Sequence, residues 1–192
     1  MHAIESMKIN PEISQSRVLE NLLTHMEETT YGKKYGVHKN MSYDEYQSAV
    51  PVVNYESLTP WMDRTMKGED NLLWDGTSQW FAKSSGTTSS KSKFIPVSRE
   101  SLNDCHLAVG KDLLAIYTHE NPNSQLFEGL SLRLGGSSKI NELENVSYYG
   151  DLSAIMIQNL PFWAEWRSTP SNDIALLEDW EEKVEKISNQ VS

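Results

Sequence analysis

An α/β fold is expected for this chain, with a helical N-terminal segment followed by strands that alternate with helices. Three observations point there. Apolar residues recur at helical spacing between residues 13 and 66, short runs of strand formers bounded by turn residues begin at residue 72, and helical patterns separate the strands after residue 98. At 192 residues the chain can bury one core, and a single domain over 1–192 is the default. Hydrophobic residues make up 38% and charged residues 23%, which excludes a disordered or fibrous class.

The elements follow in order. Residues 13–30 put Ile13, Val18, Leu19, Leu22, Leu23 and Met26 on one side of a helix, and the glycines of YGKKYG end it. Ser42 and Glu45 form a capping-box pattern that starts a short helix closed by Pro51. Leu58, Trp61, Met62 and Met66 mark the next helix, with Gly68 near its end. LLW at 72–74 and QWFAK at 79–83 read as strands. KFIPVS at 93–98 reads as another, and Pro96 places it at a sheet edge or a strand end. From Ser98 a helical pattern runs to about residue 118, its apolar side built from Leu102, Cys105, Val109, Leu113, Ile116 and Tyr117. LSLRLGG at 130–136 alternates like a strand, DLSAIMIQNLP at 151–161 reads as a buried helix stopped by Pro161, and Asp173–Asn189 reads as one last helix. In that last helix Ile174, Leu177, Trp180, Val184 and Ile187 form the inner side, and Glu178 to Glu185 a solvated face.

The formal net charge of -10 and the scattered basic residues exclude a nucleic-acid surface, which needs clustered Lys and Arg. Cys105 is the single cysteine, so no internal disulfide is possible, and the five histidines lack metal-ligand spacing, so no metal site is expected. The N-terminus carries no apolar signal region and no run approaches a membrane span, which makes the cytosol, without membrane association, the expected compartment. Cys105 followed by His106 is better read as a small core residue than as a nucleophile, because neighbours on a helix point in different directions. The six tryptophans are expected mainly in the core, though QNLPFWAEW could border an acyl pocket. Arg133 and the GGSS at 135–138 are candidates for carboxylate contact, with a plain surface arginine the simpler reading.

SSGTTSSKSK, at 84–93, sits between two strand patterns. Composition alone makes it a Ser/Thr loop. Its place between a strand and a strand-then-helix unit allows backbone N–H groups to converge on an anion, with Gly86 free to take a positive φ or a close approach. Ser84, Ser85, Thr87, Thr88, Ser89 and Ser90 offer hydroxyl donors, and Lys91 and Lys93 can balance phosphate charge. Neither a Walker A loop nor a G-x-G-x-x-G fingerprint is present, which excludes a P-loop NTPase and a dinucleotide-binding fold.

FAKSSGTTSSKSKFIPVS resembles the phosphate-binding signature of the acyl-adenylating enzymes, in the form found in the auxin-responsive acyl acid amido synthetase family. TYGKKYG, SYDEYQSAVPVVNYESLTPWMDRTMKGE, LWDGTSQWFAKSSGTT and YYGDLSAIMIQNLPFWAE resemble successive N-terminal blocks of that family, in order, so the resemblance covers most of the chain. It implies part of the large N-terminal domain of an adenylate-forming enzyme, incomplete over 1–192 and without the smaller C-terminal domain. It also implies a reaction in which Mg-ATP converts a carboxylic acid to an acyl-adenylate that an amine, usually an amino acid, then attacks. By this resemblance Ser84, Ser85, Gly86, Thr87 and Thr88 wrap the ATP phosphates, and either Lys93, as catalytic lysine, or Lys91 closes the motif. The family carries a glycine where this chain has Ser89 or Ser90. A chain without the later motifs is expected to turn over little alone and, with a truncated sheet edge, to self-associate. Two alternatives are a non-catalytic nucleotide-binding or interaction remnant and a fragment of an acyl-CoA-forming ligase.

Overall fold

The computed structural model describes residues 2–84, 92–135, 141–143 and 147–191. They are mixed α/β, with helices leading and a small sheet following, and the chain divides into two compact units, residues 1–79 and 80–192. No described helix is long and apolar enough to cross a membrane.

The first unit is helical: α1 (His2–Ile9), α2 (Pro11–Glu27), α3 (Thr30–Lys34), α4 (Tyr43–Ala49) and α5 (Tyr55–Met66). The sequence reading did not foresee α1. Pro11 opens α2 at a position where its missing N–H costs nothing. Of the side expected to be buried in α2, only Leu23 is buried, and Ile13, Val18 and Leu22 are exposed. The helix expected over 13–30 ends at Glu27, before YGKKYG; Gly32 lies inside a separate short helix, α3, and Gly36, at φ +64, follows the end of α3. The capping box of α4 is complete: Ser42 Oγ accepts from the Glu45 N–H and the Glu45 carboxylate accepts from the Ser42 N–H at 2.7 Å. The Ser42 N–H first, and then the Ser42 hydroxyl donating to the same carboxylate at 2.8 Å, hold the Glu45 carboxyl below its ordinary value. Asn54 caps α5 by accepting from the Ser57 N–H at 3.0 Å, and α5 buries Met62 and half-buries Leu58, Trp61 and Met66.

LLW at 72–74 is not a strand. Residues 71–76 form a turn closed by Asn71 N–H to Gly76 O at 3.0 Å and Gly76 N–H to Asn71 Oδ1 at 2.8 Å. The Asn71 and Leu72 carbonyls accept from Thr30 and Tyr31, the first two residues of α3. A helix start leaves such N–H groups without intrahelical partners. The segment is thus tied to the start of α3 and joins neither sheet among the described residues.

The second unit holds a four-stranded mixed sheet in the order β2-β1-β5-β4, from β1 (Trp80–Lys83), β2 (Phe94–Val97), β4 (Asn141–Leu143) and β5 (Ser147–Gly150). β1 pairs antiparallel with β2 and parallel with β5, and β4 pairs antiparallel with β5. Pro96 lies on edge strand β2, where a missing N–H is tolerated. LSLRLGG contributes only β3 (Ser131–Leu132), which pairs parallel with β6 (Ser168–Thr169) in a separate two-stranded sheet. α7 (Leu152–Gln158) follows β5 and buries Ala154, Ile155 and Ile157, as expected for this segment. Ile155 packs with Val97 and Leu102, with Trp80, Ala82, Leu152 and Met156 around them. Phe81 is fully buried.

The long helix after β2 is interrupted. Residues Ser101–Leu107 form a π-helical stretch that continues into α6 (Ala108–Glu120), and Ser98 Oγ accepts from the Ser101 N–H at its start. Leu102 is buried, but Cys105, Val109, Leu113, Ile116 and Tyr117 are exposed. A π turn holds more residues than an α turn, so the face that buries Leu102 is not continued by residues at 3.6-residue spacing.

Asp173–Asn189 is likewise not one helix. α8 (Phe162–Trp166) and β6 precede a short α9 (Asn172–Ala175), and α10 (Trp180–Val191) begins afresh. Asp179 sets that start, its Oδ1 accepting from the Glu182 N–H at 2.7 Å. The restart changes the buried side: Trp180 and Val184 are exposed, and Lys183 is fully buried with Nζ donating to the Gly135 carbonyl at 3.3 Å. Glu181, Glu182 and Glu185 are solvated, and Glu182 pairs with Lys186 at 2.6 Å.

Candidate functional site

β1 and β2 are the two arms of a hairpin whose connection is the Ser/Thr loop. Past the last ladder pair, Lys83 with Phe94, the Ser84 N–H donates to the Lys93 carbonyl at 2.9 Å and the Lys93 N–H donates to Ser84 Oγ at 3.2 Å. Ser84 and Lys93, both half-buried, therefore face each other across the neck. Ser85, Gly86, Thr87, Thr88 and Lys91 belong to residues 85–91, outside the described residues. Two of the seven expected site residues are thus placed, and they are placed together.

The parallel register fixes what lies beside that neck. Ala82 is level with Gly150, so β1 and β5 end at the same side of the sheet, where one runs into the Ser/Thr loop and the other into the Asp151 turn that opens α7. In open α/β sheets ligands bind outside the carboxyl ends of parallel strands. Tyr149 of β5 meets Phe94 edge-on at 5.3 Å between ring centroids and carries Lys83 Nζ over its ring at 5.9 Å. Tyr148 packs against Trp80 at 5.1 Å. Sequence reasoning missed this wall: YYGD was visible as a motif, but only the pairing of β1 with β5 puts it next to the loop.

Arg133 is not a plain surface arginine. Its Nε and Nη1 are buried and find no hydrogen-bond partner among the described residues, and Nη2 donates to the Pro170 carbonyl at 3.4 Å. Burial lowers the pKa of this guanidinium, and the Glu165 carboxylate opposes the shift. The tryptophans divide: Trp61, Trp74 and Trp80 are half-buried, whereas Trp163, Trp166 and Trp180 are exposed. Trp166 lines an open cavity of about 300 Å³ with Glu128, Gly129, Leu130 and Arg167. Among the described residues no group of three or more His, Cys, Asp or Glu side chains could hold a metal.

Comparison with known proteins gives a consistent result. Residues 1–192 match the GH3 family N-terminal domain. The chain is similar to the indole-3-acetic acid-amido synthetase GH3.2 of Arabidopsis thaliana, with 34% identity over 101 residues that cover 52% of this chain and 18% of the relative. For GH3.6 of the same plant the identity is 30% over 52% of this chain and 16% of the relative. For the probable GH3.2 synthetase of Oryza sativa subsp. japonica it is 29%, again over 52% and 16%. Among solved structures, AtGH3.15 acyl acid amido synthetase in complex with 2,4-DB superposes over 93% of this chain and 31% of its own, with a TM-score of 0.75 at 21% identity. Another structure of GH3.15 gives a TM-score of 0.69 at 20% identity. The chain thus spans less than a third of the relatives' length, and its fold is that of their N-terminal portion. By sequence along its whole length and by fold, the chain belongs to the GH3 family, as its N-terminal domain.

Proposed function

We propose that residues 84–93 bind the phosphates of Mg-ATP, and that this chain is the nucleotide-binding portion of a ligase that joins a carboxylic acid to an amine such as an amino acid. The observation that carries the reading is the neck of the loop. Ser84 and Lys93 are held to each other at the carboxyl end of the β1–β5 pair, and residues 85–91, which carry the remaining hydroxyls, Gly86 and Lys91 in the sequence, connect them. Hydrogen-bond donors and positive charge held in place stabilise charge that develops on phosphate. ATP supplies the adenylyl group that activates the acid carboxylate. Toward it, Ser84 to Thr88 provide hydroxyl and backbone donors, and Lys93, with Lys91 as the competing lysine, provides positive charge. Magnesium binds largely through phosphate oxygens and water, so it would arrive with the nucleotide and needs no dedicated protein cage.

Calorimetric titration of the purified chain with Mg-ATP tests this. Binding is expected, weakened about fivefold or more by Lys93→Ala and by Gly86→Val, the loss of about 1 kcal/mol or more that follows removal of a charge-assisted contact. Lys91→Ala decides which lysine closes the motif. Affinity unchanged in the Lys93 and Gly86 variants would remove the phosphate role. Binding without acid-dependent pyrophosphate exchange would favour a nucleotide-binding module over a self-sufficient enzyme.

A further inference from the structure

In the second unit, α6 carries an apolar side left uncovered among the described residues. Val109 is 63% exposed, Leu113 65%, Ile116 39% and Tyr117 48%, and no residue of the helix is buried. Leu114, Ala115 and Thr118, which carry the other side, are half-buried, so the apolar stripe is the side turned outward. The spacing of Val109, Leu113 and Ile116, four residues and then three, is that of a seam between paired helices. Glu120 continues the stripe at the helix end, where its carboxylate stays in water.

The stripe is complementary to itself. About a two-fold axis, an antiparallel pair that sets Leu113 against the partner's Ile116 also sets Asp112 against the partner's His119 on one flank and Gly110 against the partner's Tyr117 on the other. An acid therefore meets an imidazole twice. The Tyr117 ring meets a glycine, and nothing lies within 4 Å of where a Cβ would sit on Gly110. Other exposed surfaces of the unit suit a second copy less well. On α10, Trp180 and Val184 line an open groove with Glu181 and Glu185, and a second copy there would bring like charges together. At the sheet edge, Pro96 of β2 has no N–H to offer a further strand.

We infer that the exposed stripe of α6 is an interface with a second copy of this chain, in which α6 packs antiparallel on the partner's α6 about a two-fold axis. Its size limits its strength. A helix of 13 residues is about 20 Å long, so the pair is small against the roughly 1,200 Å² of a stable interface, and the dimer is weak and concentration-dependent. The net charge of -10 opposes association, but at about 0.15 M salt such repulsion is screened beyond roughly 8 Å. The inference rests on α6 and not on nucleotide binding by residues 84–93.

Sedimentation equilibrium of the purified chain at that salt, from about 10 µM to about 1 mM, is the test. The weight-average mass is expected to rise from the 21.9 kDa of one chain toward twice that value. Leu113→Asp, which puts carboxylates into the seam, should raise the dissociation constant on the order of tenfold or more, and Val184→Asp on α10 should leave it unchanged. Asp112→His should weaken the dimer severalfold by facing imidazole with imidazole. Adding His119→Asp to it should restore association, a recovery that a loss of folding cannot imitate. Circular dichroism should show the parent spectrum for the Leu113 and Val184 variants, because both side chains are exposed. A chain that stays monomeric at the highest concentration would overturn the proposal. So would a dimer that survives Leu113→Asp, or one that is lost in a folded Val184→Asp. A double exchange that fails to restore association would overturn the antiparallel pairing.

Discussion

Gly32→Ala is expected to unfold the first unit far more easily than any other single methyl addition to it. A Cβ on Gly32 would lie 1.9 Å from the Met26 carbonyl oxygen, 2.8 Å from the Met26 carbonyl carbon and 3.1 Å from Thr29 Oγ1, where real Cβ contacts below 3.0 Å essentially do not occur. The obstacle is backbone, so no side-chain rotation relieves it, and the carbonyl must move by more than about 1 Å. That carbonyl accepts from the Thr29 N–H at 3.0 Å and from Thr29 Oγ1 at 2.8 Å, while Thr29 Oγ1 caps α3 by accepting from the Gly32 N–H at 2.9 Å. Thr29 is fully buried, so its groups have no access to water when the bonds break. Two hydrogen bonds at about 1 kcal/mol each and a lost cap at about 1 kcal/mol, with a buried group left bare, give roughly 3–5 kcal/mol. At about 2–4 °C per kcal/mol for a chain of this size, the melting temperature should fall by roughly 6–20 °C in thermal unfolding followed by circular dichroism. Gly110→Ala is the control: nothing lies within 4 Å of its Cβ and it sits inside α6, so a gain of about 0.5–1 kcal/mol is expected. A Gly32→Ala melting point within about 2 °C of the parent would refute the close-approach argument.

Phe81→Ala empties the fully buried position in the middle of β1 and should cost about 3–5 kcal/mol in urea unfolding; a loss near 1 kcal/mol would mean the sheet collapses around the gap. Glu45 gives a pH signature. Its folded pKa is depressed by the Ser42 N–H, so its contribution is complete above the unfolded value of about 4.3 and is lost as pH falls through the folded value. Carboxyl titration by nuclear magnetic resonance should place its midpoint below that unfolded value, and a midpoint at or above it would show that the capping box does not persist in solution. Ser42→Ala should cost about 1 kcal/mol by loss of the cap, read in the same thermal assay as Gly32→Ala.

Local signals in the chain carried local structure well. Ser42 with Glu45, strands QWFAK and KFIPVS with Pro96 on an edge, and the DLSAIMIQNLP helix are all present, because caps, turn residues and residue propensity mark where such elements start and stop, whereas the glycines of YGKKYG fall in and after a separate helix rather than ending the one before it. Long apolar stripes were less dependable. Val109, Leu113 and Tyr117 fall at helical spacing yet are exposed behind the π-helical stretch, and Trp180 and Val184 are exposed because Asp179 restarts the last helix. Periodicity reports which residues share a face, but not whether another element covers that face.

The candidate site divides in the same way. The Ser/Thr loop, Gly86 and the lysines could be read from residue type and order, and with the flanking blocks they sufficed to place the chain in its family. The sequence could not supply the neighbours. That Ser84 and Lys93 close the neck, that Tyr149 walls it, and that Arg133 is buried against the 169–172 segment all follow from pairings between residues far apart in the chain. Hydrogen-bonded registers such as Ala82 with Gly150 and Leu132 with Thr169 exist only once the chain is folded. Residue chemistry, caps and turns were therefore determined by the sequence itself, while the tertiary structure decided which chemistries meet, because only long-range pairing brings those groups within reach of a hydrogen bond.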